Sequence, residues 1–248
     1  MSEPVDPLIY HTHQCLHSDD LPFWLELARK RSGPVLELGC GSGRVASCLS
    51  AAGFQVVGLD HNFEMLTFLR RNTSIELNES IRIFQADFTC FNLSARFELI
   101  IMPCNTYSTI SQPYRLEVLS QIRRHLLPTG IFAVQITNPF LLMSLPTNGE
   151  AELEDVFTLP FSGDAIQVSS SWTRTPKNLV INWYYDQLLT NGKIIRSELS
   201  ISHTLESPQV FRDEISMQGL HILQELGDYD FLPYRDDSPV WIILGCPS

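Results

Sequence analysis

The first half of the chain alternates short, almost entirely apolar runs with stretches in which apolar residues recur at helical spacing. The apolar runs predict β-strands at 34–39, 55–60, 81–86, 97–103 and 130–137. The stretches between them predict helices at 20–31, 43–52, 62–72 and 113–127. Asp19 or Asp20 is expected to cap the first helix, with Pro22 in its first turn. This alternation is typical of an α/β fold in which helices cover both faces of a parallel sheet.

After Pro139 the pattern changes to an alternation of apolar and polar residues. Three such runs occupy 164–173, 178–190 and 193–205. The last two are separated by Asn191-Gly192, and this pair favours a tight hairpin turn because both turn positions need positive φ. We therefore expect an antiparallel β insertion at 164–205, after the fifth strand, with one face exposed to water.

The C-terminal part returns to the earlier alternation. It predicts a helix at 208–218 and strands at 220–227 and 239–246, with an acidic loop at 228–238. These two strands bring the predicted main sheet to seven strands. We expect a single domain over 1–248 that carries the antiparallel insertion as a lobe.

Composition and charge narrow the class of partners. The chain has 248 residues, of which 44% are hydrophobic, enough for one substantial core. Its 17 Lys and Arg residues against 28 Asp and Glu residues give a formal net charge of −11. Such a surface repels phosphate backbones and anionic lipids, so we expect neither nucleic acid nor a membrane as partner.

Cysteine usage and the N-terminal segment predict the compartment. The six cysteines lie far apart and form no C-x-x-C pair, which is typical of reduced thiols rather than of a disulfide or zinc framework. The first ten residues, MSEPVDPLIY, contain acids and prolines where a signal peptide needs a basic start and an apolar run. We therefore expect a cytoplasmic protein.

The segment ELGCGSGR, from Glu37 to Arg44, joins a predicted strand to a predicted helix. Gly39, Gly41 and Gly43 allow the backbone to bend sharply and to approach a ligand without Cβ clashes. The dinucleotide fingerprint G-x-G-x-x-G would need glycine where Arg44 stands. The spacing thus favours a nucleotide-like ligand other than NAD. The alternative is a tight strand-to-helix connection that binds nothing.

Acidic residues follow the next two predicted strands. Asp60 ends the second strand, before His61, and a carboxylate there can accept both hydroxyls of a ribose. Asp87 and Phe88 follow the third strand, where a carboxylate can accept an adenine amine while the aromatic ring lies against the base. Three acid-bearing strand ends in this order favour an adenosine-containing ligand more strongly than the glycine turn alone.

These segments resemble the class I S-adenosylmethionine-dependent methyltransferases, and within them the small-molecule branch that includes glycine N-methyltransferase and the sugar N,N-dimethyltransferases. The matching segments are VLELGCGSGRVA at 35–46, VVGLDHNFEML at 56–66, FQADF at 84–88, FELIIMPCNTYSTI at 97–110 and IRRHLLPTGIFAVQITNP at 122–139. The chain departs from the family in having Glu37 where Asp is frequent, and in lacking the glycine that often precedes Asn105. The resemblance implies a Rossmann-like, seven-stranded, mostly parallel sheet with an antiparallel insertion after the fifth strand.

The resemblance also implies a cofactor and its contacts. The glycine turn would hold the methionine part of S-adenosyl-L-methionine, Asp60 the ribose and Asp87 the adenine. It further implies that Asn105 faces the methionine end and that Tyr10 closes over the cofactor. The predicted cofactor-binding residues are Tyr10, Glu37, Gly39, Cys40, Gly41, Gly43, Arg44, Asp60, His61, Met65, Asp87, Phe88, Pro103 and Asn105.

Methyl transfer from a sulfonium is an in-line displacement, so the protein mainly positions the reactants and excludes water. We expect a small-molecule acceptor, an amine or another small nucleophile, covered by the 164–205 insertion. Tyr107 and His203 are the predicted catalytic residues on the acceptor side, although the residue pattern favours a packed core histidine at least as strongly for His203. Two other functions remain open: a protein that binds S-adenosylmethionine without turnover, and an NAD-dependent oxidoreductase.

Three further features have two interpretations each. His11, His13 and His17 cluster near the N-terminus, but no carboxylate or thiolate lies at ligand spacing, so we expect a mobile, solvated arm and no metal. Arg44 either reaches the cofactor carboxylate or extends into solvent. Cys40 is expected to be a small packing residue rather than a reactive thiol.

Overall fold

The computed structural model describes residues 4–74, 77 and 79–248, and these residues form two compact units. The antiparallel unit contains the described residues up to Ser18 together with Met143–Leu205. The seven-stranded unit contains Asp19–Leu142 and Glu206–Ser248. Within the described ranges, no helix combines the length and the apolar character needed to cross a bilayer.

The seven-stranded unit is built on one mixed sheet. Its strands are β1 (Val35–Leu38), β2 (Val56–Asp60), β3 (Ile81–Gln85), β4 (Phe97–Met102), β5 (Leu126–Thr137), β10 (Leu220–Leu226) and β11 (Val240–Pro247). Their spatial order is β10-β11-β5-β4-β1-β2-β3. The pairs among β1 to β5 are parallel, whereas β11 pairs antiparallel with both β5 and β10. The predicted seven-stranded, mostly parallel sheet is confirmed.

The apolar strands are explained by burial on both faces of this sheet. Leu36 of β1 belongs to one core cluster, while Val35 belongs to another. In β4, Ile100 and Ile101 divide in the same way between the two clusters. Successive side chains of a strand point to opposite faces, so a strand covered on both sides is apolar at nearly every position. The helices of this unit are α2 (Leu21–Arg29), α3 (Arg44–Ala51), α4 (Phe63–Asn72), α5 (Gln112–His125) and α7 (Pro208–Met217).

The antiparallel unit contains a four-stranded sheet and one helix. Its elements are α1 (Pro7–Leu16), β6 (Asn148–Thr158), β7 (Ala165–Arg174), β8 (Asn178–Leu188) and β9 (Ile194–Thr204). The strands lie in the order β6-β7-β8-β9, and α6 (Pro139–Ser144) precedes the first of them. Gly192 has φ of +80° in the turn between β8 and β9, as its predicted turn position requires.

The sequence pattern missed β6, because its alternation is interrupted. Register shifts occur between Gly149 and Glu152 and between Leu153 and Asp155. Each irregularity reverses which side chains face which side of the sheet, so period-two alternation is lost along the strand. The predicted span 164–205 covers the other three strands and leaves this one out.

The solvated N-terminal arm predicted from the histidines is wrong. Residues Pro7–Leu16 form α1, and the Asp6 side chain caps this helix by accepting the Leu8 N–H at 2.7 Å. Ile9 and His13 are buried on the helix face that packs in the unit's own apolar cluster, beside Phe157. The sequence of this segment does not reveal its order, because the surface against which α1 packs comes from strands distant along the chain.

A buried ion pair joins α5 to α7. The Arg115 guanidinium, fully buried, donates to both carboxylate oxygens of Glu214 at 2.8 Å and to the Ile110 carbonyl at 2.9 Å. It also contacts Glu206 and lies over the Phe211 ring at 4.8 Å. Without Glu214, the buried guanidinium would lose two short hydrogen bonds and would retain the partly exposed Glu206 as a carboxylate partner, so its charge would be poorly compensated.

We therefore expect Glu214→Ala to lower the free energy of unfolding by about 3–5 kcal/mol, as for other broken buried pairs. Urea denaturation of the purified variant measures this loss. The control is Asp186→Ala, which breaks the cross-strand pair of Asp186 with the half-exposed Arg196 and should cost about 1 kcal/mol or less. Equal losses in the two variants would contradict a special role for the buried pair.

Candidate functional site

The strand order of the seven-stranded sheet reverses at β1, where a ligand-binding crevice is expected. β1 lies between β2 and β4, and all three are parallel, so their carboxyl ends meet at one edge. Open α/β sheets bind ligands at such points. The turns after β1 and β4 are in contact here, because a Cβ atom placed on Gly39 would lie 2.7 Å from Thr106 Cγ2.

The turn after β1 is the glycine-rich segment. Gly39, Gly41 and Gly43 have φ values of +83°, +50° and +87°, which side chains disfavour. The Gly39 and Cys40 N–H groups both donate to the Leu59 carbonyl, at 2.8 and 3.1 Å, and so fasten the turn to β2. A Cβ atom on Gly43 would lie only 2.1 Å from Leu69 Cδ1. The predicted strand–turn–helix geometry is therefore present.

Cys40 within this turn is a packing residue, as expected. Its thiol is buried with Leu66 and Leu69, and a Cβ atom on Gly58 of β2 would lie 2.8 Å from its Sγ atom. Burial raises the pKa of the thiol well above its ordinary value, and the neighbouring Glu37 and Asp60 add to this. A thiol kept protonated in this way is a poor nucleophile.

Asp60, at the end of β2, is anchored by the backbone around it. Its Oδ2 accepts the Gly41 N–H at 2.8 Å, and its Oδ1 accepts the Asn62 N–H at 2.8 Å. Each carboxylate oxygen has two acceptor positions, so one per oxygen is left for a ligand hydroxyl. The neighbouring His61 is exposed, with its Nδ1 3.6 Å from Asp60 Oδ1.

Glu37, on β1, is buried with an unsatisfied atom. Its side chain accepts from the Ala46 backbone, but its Oε2 has no hydrogen-bond partner among the described residues. Burial raises the pKa of this carboxyl to about 8, although the positive charge of Arg44 opposes the shift. A cationic group bound in the crevice would give this oxygen a partner and would favour the ionised carboxylate.

Arg44, at the start of α3, is held within the unit. Its Nη1 and Nη2 atoms donate to the two carboxylate oxygens of Asp20 at 2.6 and 2.7 Å, and Nη2 lies 2.9 Å from Cys104 Sγ. Both charged side chains are nearly buried. The alternative in which Arg44 extends into solvent is therefore wrong.

Asp20 itself was missed as a site residue. The sequence suggested it only as a helix cap, yet its side chain caps nothing and instead accepts from Trp24 Nε1 at 2.9 Å and from Arg44. No sequence pattern indicates the contact of Asp20 with Arg44, because the two residues are 24 positions apart and lie in different predicted helices.

The segment after β4 is strained. Cys104 and Asn105 have φ values of +57° and +62°, in the left-handed region that side chains other than glycine rarely adopt. Asn105 Oδ1 is buried and has no partner among the described residues. Pro103, just before it, is buried as well. The crevice thus contains a second acceptor that lacks a donor.

The segment after β3 carries Asp87 and Phe88. Asp87 Oδ1 accepts the N–H of Thr89 at 2.8 Å and its hydroxyl at 2.7 Å, and these bonds lower the pKa of the Asp87 carboxyl. Beside them lies an open cavity of about 320 Å³, lined also by Ile110 and Tyr114. Together these groups suit a flat ring with an exocyclic amine.

Four other predicted site residues belong to other elements. Met65 is half-buried on α4. Tyr107 is fully buried in the core, 5.8 Å from Phe211 between ring centroids, and its hydroxyl has no partner among the described residues. Tyr10 and His203 belong to the antiparallel unit, where Tyr10 packs against the apolar cluster and burial lowers the pKa of His203. The acceptor-side roles of Tyr107 and His203, and the closing role of Tyr10, stay predictions.

Part of this unit is similar to known proteins. Residues 35–130 match the family described as "Methyltransferase domain". A curated relative, the cypemycin N-terminal methyltransferase of a Streptomyces species, is 30% identical over 118 residues, which are 47% of this chain and 47% of the relative. The chain spans about half the length of the curated relatives it matches.

Solved structures match over nearly the whole chain. An S-adenosylmethionine-dependent methyltransferase from Clostridium acetobutylicum has a TM-score of 0.82 at 13% identity, covering 97% of this chain and 99% of its own. The sugar N-methyltransferase KedS8 from Streptoalloteichus has a TM-score of 0.75 at 15% identity, covering 98% and 93%. At these identities the likeness establishes the fold. Residues 35–130 therefore resemble a methyltransferase domain, and the whole chain has the fold of these two solved structures.

Proposed function

We propose that the protein binds S-adenosyl-L-methionine in the crevice of the seven-stranded unit and transfers its methyl group to a small-molecule nucleophile. The observation that carries this proposal is the set of acceptors left without donors at one sheet edge. Glu37 Oε2 and Asn105 Oδ1 are buried and unpartnered within the described part of the chain, and Asp60 keeps free acceptor positions. Unpaired buried acceptors are costly unless a ligand supplies the donors.

The residues present fit the parts of this cofactor. Asp60 would accept the ribose hydroxyls, and Asp87 the adenine amine beside Phe88. The glycine turn leaves space beside Gly41 for the amino-acid end, whose ammonium would face Glu37 and Asn105. An acid next to the turn suits a ligand end that carries a positive charge, whereas the pyrophosphate of NAD is only negative.

When bound, the cofactor supplies an electrophilic methyl group on a positively charged sulfur. The chain's own contribution is to orient the two reactants and to exclude water. A general base is needed only if the acceptor arrives protonated. This explains why the crevice needs no nucleophile and no pair of catalytic acids.

We further propose an amine as the acceptor. Support comes from the printed names of two relatives, an N-terminal methyltransferase and a sugar N-methyltransferase, which both act on nitrogen. The net charge of −11 also attracts a cationic amine rather than an anionic substrate. The six cysteines lie far apart in the sequence and include no C-x-x-C pair, which supports action in the reducing cytoplasm.

One experiment separates this function from its alternatives. Incubation with methyl-labelled S-adenosylmethionine and a fractionated pool of small amines should label a metabolite. Tight binding of S-adenosylhomocysteine with no labelled product in any pool would favour a binding protein without turnover. Thermal stabilisation by NAD instead of S-adenosylhomocysteine would favour the oxidoreductase, because a ligand that binds only the folded state raises its stability.

The ribose role of Asp60 is tested by substitution. We expect Asp60→Ala to weaken S-adenosylhomocysteine binding by more than about tenfold, since it removes charged hydrogen bonds. Isothermal titration calorimetry measures the dissociation constant, and circular dichroism checks that the turn still folds. The control Glu64→Gln changes an exposed carboxylate in the first turn of α4 and should leave the constant within about twofold. An unchanged constant in Asp60→Ala would remove this residue from the site.

The raised pKa of Glu37 predicts a pH dependence. The folded state keeps a proton on this carboxyl up to about pH 8, whereas the unfolded chain releases it near the ordinary value of 4.5. The unfolded state therefore binds fewer protons between these pH values, and the contribution of Glu37 to stability falls as the pH rises. The ligand-free protein should lose more unfolding free energy between pH 5 and pH 8 than Glu37→Gln does.

Urea denaturation at a series of pH values measures this difference. The control Glu117→Gln changes an exposed carboxyl on α5 and should keep the wild-type slope. Saturating S-adenosylhomocysteine should flatten the wild-type slope, because its ammonium favours the ionised carboxylate. Identical slopes for wild type and Glu37→Gln without ligand would contradict the buried, protonated state.

The acceptor-side assignments can be tested separately from cofactor binding. We expect Tyr107→Phe and His203→Gln to lower turnover while the dissociation constant for S-adenosylhomocysteine stays within about twofold, because neither is assigned to the cofactor. Steady-state methylation assays and calorimetry give the two quantities. Full activity in both variants would leave Tyr107 and His203 as packing residues.

A further inference from the structure

Three side chains of metal-ligand type converge in the antiparallel unit. His13 lies on α1, His17 is the residue that ends this helix, and Asp155 lies on β6. The two histidines are four positions apart, which places them on one face of the helix. The Nε2 atoms of His13 and His17 lie 3.1 and 2.9 Å from the same atom, Asp155 Oδ2.

The spacing of these atoms suits one small cation. All three potential ligand atoms lie within 4.8 Å of one another. A tetrahedral Zn²⁺ ion with bonds of about 2.0–2.1 Å requires neighbouring ligand atoms about 3.3 Å apart. The two distances to Asp155 Oδ2 are within a few tenths of an ångström of that value, so a slight opening would admit the ion.

The ring of His13 is held in the orientation that a ligand needs. It is buried, it stacks on Phe157 with a centroid distance of 6.0 Å and an interplanar angle of 6°, and it meets the Trp183 ring edge at 5.5 Å. Its other nitrogen, Nδ1, lies 3.1 Å from the Tyr185 hydroxyl. A ligating histidine usually gives its second N–H to such an oxygen, which directs the Nε2 lone pair toward the metal.

The opposite side of the cluster is accessible. The His17 side chain is 63% exposed and that of Asp155 is 24% exposed, so an ion can enter without opening the core. The neighbouring Glu154 is already engaged, since it accepts from the Ser170 hydroxyl. The set offered to a cation therefore consists of two imidazoles and one carboxylate.

We propose that His13, His17 and Asp155 bind a Zn²⁺ ion, with a remaining coordination position for water. Two imidazoles and a carboxylate are a common ligand set for this metal. Each histidine binds as neutral imidazole with its proton on Nδ1, and Asp155 binds as the carboxylate. The ion would tie α1 to β6, which lie 138 positions apart in the pair His17–Asp155. Without metal, both imidazoles would donate their Nε2–H to the carboxylate.

The test uses the full chain, stripped with EDTA and titrated with Zn²⁺ by calorimetry and by thermal denaturation. We expect about one equivalent per chain and a Tm rise of about 5 °C or more at Zn²⁺ a hundredfold above Kd. His17→Gln changes a mostly exposed side chain and should keep the fold. This variant and Asp155→Asn should weaken Zn²⁺ binding at least about tenfold, as expected when a ligand is lost.

Co²⁺ provides a spectroscopic check, because its visible absorption reports the coordination geometry. The matched control is the double variant His11→Gln and Cys15→Ser. It removes a histidine and a thiol on the same helix, whose Nε2 and Sγ atoms lie 3.5 Å apart. This control should bind Zn²⁺ like the wild type. Three outcomes would each overturn the proposal: no Zn²⁺-dependent stabilisation of the wild type, unchanged affinity in His17→Gln, or loss of binding only in the control.

Discussion

The hydrogen bond from the Gly41 N–H to the Asp60 carboxylate is the constraint on which the site depends. It fixes the glycine turn against the end of β2, and the turn can accept this position only because its glycines adopt positive φ. The same carboxylate then presents its remaining lone pairs to the crevice. One side chain thus both shapes the turn and offers a ligand its acceptors.

The polar side chains around this turn are of two kinds: some form an ion pair, and others have buried oxygens that lack a hydrogen-bond donor. Asp20 and Arg44 neutralise each other in a nearly buried two-point contact. Glu37 and Asn105, by contrast, keep buried oxygens without donors among the described residues. Such oxygens are tolerated in a folded protein where a bound ligand supplies the missing hydrogen-bond donors. The left-handed backbone at Asn105 also costs free energy, and strain of this sort is common at functional sites.

In the antiparallel unit, polar contacts help to fix the position of a helix. This helix, α1, packs Ile9 into the apolar cluster and is held in addition by polar contacts of His13 with Tyr185 and Asp155. Hydrogen bonds of this type orient a helix more sharply than apolar contact does, because they depend on distance and angle. The geometry that orders the helix also produces the three-ligand cluster.

The sequence by itself determined the elements of the main sheet, the glycine turn and the acid at the end of β2, because periodicity and backbone requirements are local properties. It also predicted the β8–β9 hairpin from Asn191-Gly192. Only the tertiary structure decided that Arg44 pairs with Asp20, that Tyr107 is buried, that β6 joins the second sheet and that His13 meets Asp155. These features arise from residues far apart along the chain or from irregular strand register, and neither leaves a local pattern.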